Sequence, residues 1–431
     1  MDISRRSLIV GASALSAGTL LSSCSASESG SPSGSGSAGG LGGEITVLTP
    51  AFSSGDHKAV YDAIVAEYNE IYPDVTVTTD HTDYGKLNEK LTVAVASGVI
   101  PDVIMSGMGW VEPFAAKGIY AELDASVMEG RDYPEAVLGP CQYQGSLYAV
   151  PSFLDTRCFV GNRELWDRAG ISEAPTSFAE FREAAKEMTG GSGSNKQWGI
   201  IINGAGAARQ LLAMAIGANG GSMFDADGTT ALFTSPECVE AMQFLVDLIE
   251  DGSTSWDLKP AEGSPHPFLG GNIGMSVCPT TFWSDWSEGA PELVSEESSI
   301  LFRMQNVRES IFLGGTLMSR SAQSRNAEAA DAFVKHLSGV SSMQQICEIR
   351  GAVPATDEVL EQSASLQENR FIEYGVESLE FASYEGGSEA WMEIRGQLNP
   401  ILEEALVGQT EVPVVMEKAN AMAQEAIDRS A

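Results

Sequence analysis

Apolar and polar positions alternate over Ile45-Thr46-Val47-Leu48 and again over Val75-Thr76-Val77, and this period of two predicts short strands. Between them Val60, Ile64, Tyr68 and Ile71 recur at steps of four, four and three. That spacing predicts one buried face of a helix, stopped at Pro73. Residues 86–97 carry a second helical pattern, closed by Gly98 as a C-cap glycine with Pro101 beyond it. Asp102-Val103-Ile104-Met105 reads as a third strand, and Trp110–Ala116 opens another helix. Strand–helix–strand–helix–strand predicts a parallel sheet with helices on its faces.

The middle of the chain repeats this grammar. Ser177 and Glu180 form a capping box for a helix through Met188, a loop covers residues 190–195, and a strand follows around Ile200. Asp227-Gly228 marks a tight turn between short strands. Ser235 then caps a helix with Pro236 at its first position and Val239, Met242, Val246 and Ile249 as its core face. No linker-like composition separates the two α/β regions, as expected if two lobes interleave along the chain.

The stretch WGIIINGAGAARQLLAMAIGANGG, residues 198–221, approaches a dinucleotide-binding turn: a strand, Gly204-Ala205-Gly206, then helix formers. The fingerprint needs a third glycine three residues after Gly206. Arg209 stands there, and Asp225 belongs to a turn, so a nucleotide site is not expected.

Composition narrows the function classes. The 431 residues hold 25 Lys plus Arg against 59 Asp plus Glu, a formal net charge of −34. Such a surface repels phosphate backbones, so nucleic acid is excluded as a partner. The N-terminus reads as an export signal: Arg5-Arg6, an apolar run from Leu8 to Leu21 too short and too rich in Gly and Ser to span a membrane, then Leu21-Ser22-Ser23-Cys24. The last four residues resemble a bacterial lipobox, which implies lipidation of Cys24. Ser4-Arg5-Arg6-Ser7-Leu8-Ile9 also resembles a twin-arginine motif, leaving the export route open. Residues 25–43 are nearly all small and polar and are expected to form a flexible tether, placing the folded part at the outer face of a membrane.

Beyond Cys24 the cysteines are Cys141, Cys158, Cys238, Cys278 and Cys347, an odd number without a C-x-x-C pair. They are read as buried small hydrophobes with at most one disulfide. The four histidines show no ligand spacing, and no metal or cofactor is expected. The sequence holds no G-x-S-x-G, P-loop, H-E-x-x-H or complete EF-hand loop.

Several segments in order carry a resemblance: ASGVIPDVIMSG (96–107), FAAKGIYAEL (114–123), GSLYAVPSFLD (145–155), GNRELWDRAGISEAPTSFAEF (161–181), FLGGNIGMSV (268–277), IFLGGTLMSRSAQSRNAEAADAFVKHLSG (311–339) and LEEALVGQTEVPVVMEKANAMAQEA (402–426). Together they resemble the extracellular solute-binding proteins of ABC importers, in the carbohydrate-binding group that includes the maltose binders. The chain departs from that group's Tyr-Asn at Gly161-Asn162 and from its Gly-Pro-Trp at Pro279-Thr280-Thr281. The resemblance implies an α/β fold of two lobes around a ligand cleft, joined by three crossings. Lobe 1 is expected at 44–154 and 280–313, and lobe 2 at 155–279 and 314–431. It also implies a monomer that binds a sugar or oligosaccharide and delivers it to a membrane permease. The alternatives are a surface lipoprotein binding a peptide and a glycosidase-like enzyme.

A sugar site needs flat aromatic surfaces and planar polar groups at its rim. Trp110 follows the third strand, where open α/β sheets place ligands, with a core position as the alternative. One of Phe282, Trp283 and Trp286 is expected at the site, with Trp283 the first choice. Trp391 lies in WMEIR (391–395), which resembles a late helix of the maltose-binding group that presents a stacking tryptophan. Asp155 is the leading polar candidate, at the first expected crossing. Arg209, Gln210, Asp83 and Arg350 follow, with Gly314-Gly315 at the third crossing, where backbone amides can approach a ligand. Asp56 and His57 are read as caps of the first long helix.

Overall fold

A computed structural model describes residues 40–430 apart from Ser54, residues 204–207 and residues 260–263. The export signal, Cys24, most of the tether and the turn at Gly204 and Gly206 lie outside the described residues.

The predicted N-terminal grammar is present. Strands Gly42–Thr49, Asp74–His81 and Val103–Ser106 pair in parallel, with helices Gly55–Ile71 and Tyr84–Ser97 between them. The first strand starts at Gly42, so the tether's last two expected residues belong to the sheet. The first helix is rotated slightly from the expected face: Tyr61, Ile64 and Tyr68 are buried, whereas Ile71 is 58% exposed. Gly98 adopts the left-handed conformation that ends the second helix. Ser177 accepts from the amide of Glu180 at 3.2 Å, while the Glu180 carboxylate turns to the amide and hydroxyl of Thr176.

A separate two-stranded sheet pairs Gln142–Tyr143 with Ser146–Leu147, and the main sheet is mixed. In spatial order its main strands are Asp74–His81, Gly42–Thr49, Val103–Ser106, Glu309–Arg320, Val150–Asn162, Ile273–Pro279 and Trp198–Ile201. The two long central strands, Val150–Asn162 and Glu309–Arg320, run antiparallel to each other, with Asp155 opposite Gly314 and Leu154 opposite Gly315. Each outer half keeps parallel pairing, as at Ile200 and Met275.

Two apolar cores divide this sheet. One joins residues of 45–154 to Leu313, Leu317, Met318 and the helices from Ala329 to Leu379. The other joins residues of 158–312 to the last two helices, from Ala390 to Ile427. The chain passes between them three times: within Val150–Asn162, within Glu309–Arg320, and between Leu379 and Ala390. Residues 280–313 pack mostly with the second core, and most of 317–379 packs with the first, Phe371 excepted, because strand Glu309–Arg320 carries the chain back beside Val103–Ser106.

All five described cysteines are buried and free. Burial pushes the thiols of Cys141, Cys158 and Cys347 well up from their ordinary value. Cys158 and Cys278 oppose each other on adjacent strands.

Candidate functional site

Within Val150–Asn162 every residue is buried except Asp155 and Arg157, which lie two apart and therefore on one face of the strand. Phe153 shares that face. In the partner strand the interior positions that are not buried are Gly314 and Gly315. Both long strands thus open at the same height, midway between the two cores, and a cavity of about 330 Å³ sits there. Its walls come from both sides: Tyr84, Met108 and Trp110 from the first, and Arg209, Gln210, Phe312, Glu385 and Arg395 from the second, with Arg350 at the end of helix Val340–Arg350.

Gly315 has φ of +149°, and a Cβ there would come within 2.7 Å of the Phe153 carbonyl and 2.9 Å of the Met108 methyl. Glycine is required by both the conformation and the close packing. At Gly314 a Cβ would sit 3.3 Å from the Asp155 carbonyl, so the missing side chain leaves the Asp155 carboxylate uncovered.

The polar groups form two charged clusters. The Arg157 guanidinium donates to Asp155 Oδ2 at 3.3 and 3.4 Å and to Gln210 Oε1 at 2.7 Å. Arg209 Nε lies 2.6 Å from Glu385 Oε2, and Arg395 approaches the same carboxylate at 3.6 Å. Arg350 donates to the Ala51 carbonyl at 2.6 Å and faces His57 Nδ1 at 3.3 Å. Burial, then the Arg350 charge, holds His57 below its ordinary value, and burial lowers Arg350 and Arg395 from theirs. Buried Asp155 Oδ1, Arg350 Nε and Arg395 Nε have no hydrogen-bond partner. Such an arrangement can hold a polar ligand by charge-assisted hydrogen bonds. The described residues hold no cluster of three or more His, Cys, Asp or Glu able to bind a metal.

The sequence pattern of the bacterial extracellular solute-binding protein family matches residues 53–342. The chain belongs to this family. A putative binding protein of Brucella abortus is 25% identical over 252 residues, which cover 57% of this chain and 60% of that protein; the match spans less than two thirds of that relative's length. The arabinooligosaccharide-binding protein of Bacillus subtilis is 23% identical over 377 residues, covering 83% and 82% of the two chains. The GacH receptor of Streptomyces glaucescens, solved unliganded and with acarbose, shares the fold at a TM-score of 0.75 and 23% identity, over 90% of this chain and 99% of that one. No described helix of this solute-binding protein is long and apolar enough to cross a membrane.

The cavity brings together Trp110, Asp155, Arg209, Gln210, Gly314, Gly315 and Arg350 from the sequence-derived candidates. It does not include the other three. Asp83 caps helix Tyr84–Ser97, accepting from the Lys86 amide at 3.0 Å, and its neighbour Tyr84 lines the cavity instead. Trp283 is buried against Phe371, their ring centroids 5.2 Å apart, and from that segment only Thr281 reaches the cavity wall. Trp391 is fully buried in the second core, edge-on to Phe224 at 6.1 Å. Its place in the site is taken by Arg395, one helical turn later.

Arg157, Glu385 and Arg395 were not among the candidates. Arg157 had a legible signal, the two-residue spacing of Phe153, Asp155 and Arg157 in a strand. Glu385 lies in an irregular segment, with no periodicity to mark it.

Proposed function

We propose that this solute-binding protein captures a sugar or oligosaccharide outside the cell and delivers it to the permease of an ABC importer. The observation that carries the reading is the cavity between two cores, lined by the open mid-points of both crossing strands. Three chain passages between otherwise separate cores form a hinge, and closure around a ligand excludes water and strengthens the hydrogen bonds inside. The arabinooligosaccharide-binding protein, similar over most of both chains, supports a carbohydrate as the ligand class. Asp155, with one carboxylate oxygen unpartnered, accepts from sugar hydroxyls in this reading. The protein acts as a monomer held to the outer membrane face by a lipid on Cys24.

A thermal-shift screen over mono- and oligosaccharides, amino acids and peptides tests the assignment. A sugar is expected to raise the melting temperature, and Asp155→Asn to weaken its binding at least about tenfold, the loss of one charge-assisted hydrogen bond. Stabilisation by amino acids or peptides with none by sugars would overturn it.

A further inference from the structure

The cavity's charge runs against that of the molecule. The chain as a whole carries −34, yet this cavity is lined by four arginines, no lysine and only two carboxylates. The carboxylates are already engaged: Asp155 pairs with Arg157, and Glu385 pairs closely with Arg209. Arg395 shares Glu385 only at 3.6 Å, and Arg350 forms no ion pair among the described residues. An ion-pair network serving stability alone would be charge-matched, since burying a surplus charge is costly. Here two guanidinium groups remain in surplus, each with an unpartnered Nε, one on either side of the cavity.

The aromatic surfaces point the same way. A neutral pyranose binds by laying its C–H face on an open ring. In this cavity the Arg350 guanidinium lies over Phe153 at 4.4 Å, that of Arg157 over Phe312 at 5.0 Å, and that of Arg395 over Trp110 at 5.1 Å. Three ring faces are therefore occupied by cations. Stacking also fixes the planar guanidinium fork, the geometry that matches a carboxylate or phosphoryl oxygen pair.

We infer that the ligand is an anionic sugar, one bearing a carboxylate or phosphoryl group whose oxygens are bound by Arg350 and Arg395. This rests on the carbohydrate reading above and narrows it. The hydroxyls of such a ligand are left to Asp155, Gln210 and Glu385, while its anionic group supplies the countercharge that the cavity lacks.

Isothermal titration of the exported, folded chain with matched pairs tests the inference: galacturonate and trigalacturonate against galactose and trigalactose, and glucose 6-phosphate against glucose. Glutamate and inorganic phosphate serve as anions without a sugar. At least one acidic sugar is expected to bind ten times or more tightly than its neutral counterpart, and the carboxylate and phosphoryl arms show which group is read. Arg350→Gln and Arg395→Gln are each expected to remove most of that discrimination while the empty proteins stay folded and unfold cooperatively. Arg350→Lys retains part of it. Equal or tighter binding of the neutral sugars overturns the inference and leaves carbohydrate capture standing, and binding by no acidic sugar overturns it too. Binding of glutamate or phosphate with no sugar of either charge overturns carbohydrate capture itself. If the glutamine variants prove unstable, the matched pairs on the wild-type chain decide.

Discussion

The guanidinium of Arg395 lies 5.1 Å from the centre of the Trp110 ring, and the two residues belong to different cores. Trp110 also stacks on Phe114, with centroids 5.9 Å apart and planes 19° apart. Trp110 is thus a wall of the cavity that contacts both its own core and a cation from across the cleft. Arg395→Ala should uncover it. Acrylamide quenching of tryptophan emission is expected to rise in this variant and to show no such rise in a Trp110→Phe background. The lost cation–π contact costs about 0.5–2 kcal/mol of stability.

Gly109 sets how closely the halves approach. A Cβ at this position would lie well inside contact distance of the Glu385 carbonyl and 2.8 Å from Trp391 Nε1. Both belong to the far side, so Gly109→Ala should hold the halves apart. The expected result is a larger radius of gyration in solution scattering and weaker ligand binding, with each core still folded. Unchanged scattering and affinity would contradict this role.

Trp391→Ala and Trp283→Ala are expected to act on stability. Both side chains are buried, at 0% and 3% exposure, and neither lines the cavity. Each truncation should cost about 3–5 kcal/mol by the usual penalty for emptying a core site of this size. Denaturant unfolding of the empty protein measures that loss. A sugar-stacking tryptophan would show the reverse pattern: intact stability and a large fall in affinity.

Glu112 gives the protein a pH dependence. Burial, and then the charge of Glu389, pushes its carboxyl up to about 7 from an ordinary value of 4.5. Glu389 in turn accepts a hydrogen bond from the Tyr143 hydroxyl at 2.5 Å. The folded state keeps a proton that the unfolded chain releases, so this group's contribution to stability falls as pH rises from about 4.5 through 7. Glu112→Gln should therefore raise the melting temperature relative to wild type at pH 8 and change it little at pH 4. Parallel pH profiles of both proteins check the sign.

Cys24→Ala is expected to release a normally folded, ligand-competent protein from the membrane fraction. In this reading the lipid is the hydrophobic attachment, since no segment after Cys24 offers a run of about 18 apolar residues. Retention on washed membranes would point to a second attachment.

What the sequence determined by itself was local. Periods of two and near 3.6, with caps at Gly98, Ser177 and Ser235, marked strands and helices that the structure contains. The ordered segments sufficed for the family, and Asp155 was singled out because the resemblance implied the first crossing at that point of the chain. Tertiary structure alone decided which core each amphipathic helix covers. Hydrophobic spacing says that a face is buried and nothing about its partner, so residues 317–379 could not be assigned to the first core from their pattern. The same limit placed Trp391 inside the second core and Arg395 at the cleft, although the two are four residues apart on one helix. The four arginines at positions 157, 209, 350 and 395 converge only through the long-range pairing of the two crossing strands and the packing of helices against them. Their surplus of charge is a property of that convergence, invisible in a chain whose overall sign is the opposite.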